Sequence, residues 1–225
     1  MLGFYNYTTL LTYLSLMSAG LGIVTSLGGA GHPYVGMCFL LFCGLCDAFD
    51  GKVARTKTDR TPEECAFGIQ IDSLSDIVAF GVLPVCISAA LLKRDLFIAM
   101  KEEPALGKVT LVLLVAVMAL YLLAGMIRLA YFNVTEEKRQ ETEDGARKTY
   151  LGLPVTTSTL LIPFAVSLLN LLHIDMRYVA PWVLLCMGIA FLTPFRLPKP
   201  HMVGKIVMTL IGVGCLVIVL LGVPA

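Results

Sequence analysis

Four carboxylates in one short stretch dominate the chemistry open to this chain. Asp47 and Asp50 stand three residues apart, and Asp72 and Asp76 four apart, so each pair projects from one face of a helix. All four lie inside or beside strongly apolar segments. An Asp at the centre of a membrane helix costs about 2.5–3.5 kcal/mol on insertion scales, so four of them call for a shared compensating partner. Two neighbouring helices with facing carboxylate pairs form an all-oxygen cage for a hard divalent cation such as Mg²⁺ or Mn²⁺. Gly51 and Ala54 share the face of Asp50 and let a bulky ligand approach the backbone, and Arg55 follows with a planar fork suited to phosphate oxygens. Carboxylates, metal, small residues and Arg together describe a phosphate-bearing substrate whose charge a metal neutralises. Any one of these Asp residues alone fits a water-facing helix end equally well; the paired spacing is what sets them apart.

The elements that must hold these residues are apolar helices. The chain is 57% hydrophobic and 15% charged, against about 25% charged in soluble proteins. The expectation is an all-α, polytopic membrane helical bundle. With about 20 apolar residues per crossing, seven segments stand out: roughly 8–27, 33–55, 68–92, 109–132, 151–172, 178–195 and 203–223. The first lacks a basic leader and a cleavage site and is expected to be a retained helix. There is no repeat, linker or composition shift, so residues 1–225 are expected to form a single transmembrane catalytic domain. Lys93–Lys108 and Asn133–Tyr150 read as polar breaks. No basic tract with interleaved aromatics supports nucleic-acid binding. Seven Cys are scattered through apolar segments; Cys43 and Cys46 have C-x-x-C spacing but no second pair or nearby His, so they read as packing residues.

Orientation follows from the cations. Lys52, Arg55, Lys57, Arg60, Lys138, Arg139, Arg147, Lys148, Arg196, Lys199 and Lys205 fall on one side, 11 in all, against 5 on the other: Lys93, Arg94, Lys101, Lys108 and Arg177. The richer side is expected to be cytoplasmic, which places the Asp cluster at the cytoplasmic rim of a cell-membrane protein.

The stretch resembles the signature of the CDP-alcohol phosphotransferase family, D-x2-D-G-x2-A-R, a spacer, then G-x3-D-x3-D. Asp47, Asp50, Gly51, Ala54, Arg55, Gly68, Asp72 and Asp76 fill every fixed position. The spacer, Thr56 to Phe67, is a few residues longer than usual. Phe67-Gly68, Asp72-Ser73, the following Phe80-Gly81-x2-Pro84, Arg128 to Asn133 and Gly152-Leu153-Pro154 are similar to the membrane-integral phosphatidylserine synthase branch. Tyr131 and Ala79 depart from it.

The resemblance implies a six-helix core over about 5–196, and the last apolar run adds at least one further helix, over about 203–223. It also implies that an alcohol attacks the β-phosphate of a CDP-linked lipid and releases CMP. In the serine branch the substrates are CDP-diacylglycerol and L-serine. Asp47, Asp50 and Asp72 would ligate two Mg²⁺ or Mn²⁺ ions, with Asp76 as general base and at most a partial ligand. Asp76 as a fourth pure ligand stays open. Asp47, Gly51, Ala54, Arg55 and Gly68 would line the CDP-lipid site. A homodimer is implied by the resemblance alone. Serine adds a carboxylate to a site crowded with Asp, so a cation should face it. Arg128, inside an apolar segment, is the first candidate; Arg147 and Lys148 come next, and Asn133 either donates to substrate or caps its helix. Competing readings are a sister enzyme using glycerol 3-phosphate or inositol phosphate, an archaeal lipid backbone, and, from another class, an ion-coupled transporter. The lack of repeats and the position of the carboxylates at one end disfavour the last.

Overall fold

Helix α1 (Leu10–Leu27) is inside out relative to a soluble helix. It buries Thr12, Ser15, Ser18, Ala19, Gly22 and Ser26 and exposes Leu10, Leu14, Met17, Leu21 and Val24. Lipid is as apolar as Leu, so spanning helices gain by close backbone approach between small residues instead. The buried stripe lies against α2 (Pro33–Ala54), which Pro33 starts in its first turn. Ser18 Oγ donates to the Phe39 carbonyl at 3.3 Å, and Cys43 Sγ donates to the Ser15 carbonyl at 3.3 Å. A Cβ on Gly22 would sit 2.9 Å from Phe39 Cβ, and one on Gly36 would strike Ser26 Oγ. Gly36→Val is therefore expected to force the two helices apart, a change of about 1–3 kcal/mol or more. A thermal melt in detergent reads it, and an unchanged melting temperature would contradict the packing.

In the computed structural model, residues 3–28, 32–142, 149–172, 176–198 and 202–221 are described. After α2 come α3 (Pro62–Asp76), a π-helical turn (Ile77–Val82), α4 (Leu83–Glu102) and α5 (Pro104–Thr142). Strand β1 (Thr149–Leu151), α6 (Ser158–Leu171), α7 (Met176–Leu192), β2 (Arg196–Pro198) and α8 (Met202–Leu221) complete the order. The strands pair antiparallel, Thr149 with Pro198 and Leu151 with Arg196. This short strap ties the chain before α6 to the chain after α7, and the Gly152 amide extends it by donating to the Phe195 carbonyl at 2.6 Å. Gly152 has φ +76°, a left-handed conformation that favours glycine.

The shared core draws on α2, the π turn, α4, α5, α6 and α7, with Met37, Leu40, Phe80, Leu83, Tyr121, Val166, Leu184 and Phe191 all buried. Among the described residues, four helical stretches are long and apolar enough to cross a membrane: Tyr7–Leu27, Pro33–Ala54, Pro62–Lys93 and Pro104–Glu137. Val155–Leu169 and Val179–Leu192 are shorter apolar helices. The protein is an all-α polytopic membrane bundle, and each of the seven apolar segments read from the sequence corresponds to a helix.

The polar connections differ from expectation. Residues 133–142, read as part of a loop, continue α5, which runs for 39 residues. At 1.5 Å per residue that is about 58 Å, well beyond the roughly 30 Å of hydrocarbon. Thr135 Oγ1 bonds the Tyr131 carbonyl at 2.8 Å, and an i,i+3 ion pair, Arg139 to Glu136 at 2.7 Å, supports the projecting turns. Asn133 therefore lies inside the helix and does not cap it. Most of Lys93–Lys108 is helical too, with only Glu103 between α4 and α5. In both places charged residues that are good helix formers carry the helix past the apolar run.

Candidate active site

The two carboxylate pairs ride on α2 and α3, and α1 packs against both. Helix α2 ends at Ala54, where the chain turns through Arg55. Helix α3 begins with a full capping box: the Thr61 hydroxyl accepts from the Glu64 amide at 3.2 Å, and the Glu64 carboxylate accepts from the Thr61 amide at 3.2 Å. Pro62 at the first helical position adds a preset φ. Half of the spacer is thus helix, and Gly68 stands in the second turn of α3. The remaining loop is tied down. Glu64 pairs with Lys57 at 2.9 Å and accepts from Asn6 Nδ2 at 3.2 Å. The hydrogen bond from Lys57 to Glu64 raises the pKa of the Lys57 ammonium above its ordinary value. Phe4 meets Phe67 edge-on at 5.5 Å, which lays the amino-terminal segment across the start of α3. At the far end of α3, the buried Ser75 hydroxyl donates to the Thr12 carbonyl of α1 at 3.2 Å.

These supports bring Asp47, Asp50 and Asp72 together, with one ligand oxygen from each lying within 4.8 Å of the others. Asp50 also accepts from the Gly51 amide. Three carboxylates facing one another repel unless a cation or protons lie between them. Three hard oxygen donors at that spacing match the needs of a divalent cation such as Mg²⁺ or Mn²⁺, so the residues present fit the metal. Asp76, one turn beyond Asp72, is 8% exposed and lies outside that set of three.

The other predicted residues divide. Arg55 folds back over Gly51, where a Cβ would lie 3.5 Å from Nη1, and Ala54 beside it is half-buried. Gly68 faces Arg60, a cation expected only to mark topology: a Cβ there would lie 2.7 Å from Arg60 Nη2. Arg60 is held by donation to the Glu64 carbonyl at 3.2 Å. Each motif glycine therefore has a guanidinium lying over it. The available sequence signal for Arg60 was its place in the lengthened spacer.

Arg128 is 6% exposed, and its Nε donates to the Leu153 carbonyl at 3.2 Å, joining α5 to the Gly152–Pro154 turn. Its guanidinium also lies over the Phe132 ring at 5.7 Å. Asn133 Nδ2 donates to Ser73 Oγ at 2.7 Å, so α5 is fastened to α3 at the residue after Asp72. Arg147 and Lys148 lie outside the described residues. Ser73, Ser75 and Thr12 were missed, since a hydroxyl in an apolar helix announces no partner.

Asp47, Asp50 and Asp72 converging from two helices of a membrane bundle, beside small residues and Arg, fit a site that holds a divalent cation against a phosphate-bearing ligand. Residues 5–194 match the CDP-alcohol phosphatidyltransferase family. The chain belongs to that family, whose members generally use a divalent metal. It is 31% identical over 75% of its length to a CDP-diacylglycerol–serine O-phosphatidyltransferase of Helicobacter pylori, covering 60% of that protein. It is 30% identical over 61% of its length to the Saccharomyces cerevisiae protein of the same name, covering 43% of it. An archaetidylserine synthase of Methanothermobacter thermautotrophicus is 30% identical over 68% of the chain, which spans 54% of that relative. The chain therefore spans about 60% or less of these curated relatives' lengths.

Proposed function

We propose that this chain transfers the phosphatidyl group of CDP-diacylglycerol to L-serine, giving phosphatidylserine and CMP. The observation that carries the reading is the convergence of Asp47, Asp50 and Asp72 from two helices in a chain of this family. The serine synthases among its relatives favour serine as the acceptor.

Asp47, Asp50 and Asp72 would hold Mg²⁺ or Mn²⁺, two ions as the family resemblance implies. Bound there, the ions neutralise charge on the diphosphate. Gly51, Ala54 and Gly68 leave room for the cytidine nucleotide, and Arg55 meets its phosphates. The serine hydroxyl oxygen bonds to the β-phosphorus as Asp76 takes its proton, and the bridging oxygen leaves with CMP. Arg128 faces the serine carboxylate from α5, and Asn133 with Ser73 fixes the approach of α5 to α3. The excess of Lys and Arg at the carboxylate end supports a site on the cytoplasmic side of the cell membrane. The acyl chains then stay in the inner leaflet while the head group enters the cage. Residues 1–225 act as one catalytic domain, and the family resemblance extends to a homodimer.

An acceptor panel tests the reading. Membranes holding the protein, given CDP-diacylglycerol and Mn²⁺, are expected to release CMP with labelled serine. Release with glycerol 3-phosphate or inositol phosphate in place of serine would assign the chain to a sister branch.

A further inference from the structure

Directly after Asp76 the helix ladder changes pitch. The Leu83 amide donates to the Val78 carbonyl, five residues back, and α4 then resumes with Pro84 in its first turn. In an α-helical ladder the amide at position 84 would serve the Phe80 carbonyl, and proline has no amide hydrogen to give. Tyr121 of α5 supplies the donor instead, its phenol bonding the Phe80 carbonyl at 2.7 Å. The tyrosine is 1% exposed, and its ring packs on Phe191 at 5.5 Å. Helix α5 reaches this close because residue 81 is glycine: a Cβ there would lie 2.9 Å from Leu122 Cδ1 and from Ile77 Cδ1.

A π turn inserts one residue into a helix and so rotates everything upstream by about 100° relative to an unbroken α-helix. Asp72 and Asp76 are immediately upstream. Their bearing toward α2 thus depends on whether residues 77–82 close as π or as α. We propose that Tyr121 is a positioning residue: its phenol on the Phe80 carbonyl holds the π turn, and with it the angle at which Asp72 and Asp76 face Asp47 and Asp50. The proposal rests on the reading of those carboxylates given above. It assigns no contact between Tyr121 and substrate.

The test uses the full chain in lipid nanodiscs, with CMP release, melting temperature and Mn²⁺ affinity by electron paramagnetic resonance measured together. Tyr121→Phe is expected to lower kcat about ten- to hundredfold, the scale of a small misplacement of reacting groups, with both KM values within about twofold. Adding Pro84→Ala returns an amide to the Phe80 carbonyl, so the double variant is expected to regain melting temperature while kcat stays low. Overturning results are a kcat for Tyr121→Phe within about twofold of wild type, or kcat recovering together with stability in the double variant. If Tyr121→Phe alone does not fold, the double variant decides: a folded Tyr121→Phe/Pro84→Ala protein with low kcat supports the proposal, and one with wild-type kcat overturns it. Wild type releasing no CMP with serine would sink the functional reading instead. Mn²⁺ affinity then carries the test, weakened in the variants if the proposal holds and unchanged if it does not.

Discussion

Asp76→Asn is expected to lower turnover by about 10²–10⁴-fold, the usual contribution of a positioned base, with Mn²⁺ and CDP-diacylglycerol affinities close to wild type. Asparagine keeps the shape of the side chain but carries neither the negative charge nor the basicity needed to take a proton. The selectivity of the effect follows from position. Asp76 is buried one turn past Asp72 and lies outside the group of three carboxylates that share a 4.8 Å neighbourhood. Single-turnover CMP release and Mn²⁺ titration of the same preparation separate the two functions. Loss of Mn²⁺ binding as complete as in Asp47→Asn would make Asp76 a ligand and remove it as the base.

Asp72→Asn should do the opposite to metal and something less obvious to stability. Disturbing even a residue that only orients a metal ligand typically costs 10–100-fold in affinity or activity, so replacing a ligand is expected to cost at least about 100-fold. CMP release should fall accordingly. In the presence of a chelator, however, Asp47, Asp50 and Asp72 repel one another in a poorly solvated place, and removing one charge relieves that strain. The chelated variant is therefore expected to melt above chelated wild type, by roughly 2–4 °C per kcal/mol of repulsion removed. Such a trade of stability for activity is a common property of functional sites. A chelated variant that melts below wild type would mean the three carboxylates are held by protein contacts and do not await a cation.

Much of this arrangement was legible in the sequence because two periodicities carried it. Apolar runs of bilayer length marked the helices, and i,i+3 and i,i+4 spacing put each carboxylate pair on one face. The boundaries were less legible. Residues 133–142 are mostly polar and 93–108 carries seven charged residues, and such charge in a membrane chain reads as loop even where Glu, Lys, Arg and Gln favour a helix standing in water. Thr61-Pro62-Glu63-Glu64 carries a capping signature within the spacer, and α3 begins there. The π turn was beyond reach, because 3.6-residue periodicity cannot reveal one inserted residue. Pro84 alone hinted at a break in the ladder. Arg128 stands out in the sequence as an expensive residue within a helix, yet the partner seen for its Nε is the Leu153 carbonyl, a backbone group that no side-chain pattern can indicate.

The central claim, that Asp47, Asp50 and Asp72 serve the reaction by holding divalent cations, meets its most direct test in metal removal. CMP release from CDP-diacylglycerol and serine is to be followed while EDTA strips the protein and Mg²⁺ or Mn²⁺ is then returned. The account predicts that release stops with the chelator and resumes on addition of either ion to wild type, but not to Asp72→Asn. Undiminished release in the stripped protein would contradict it.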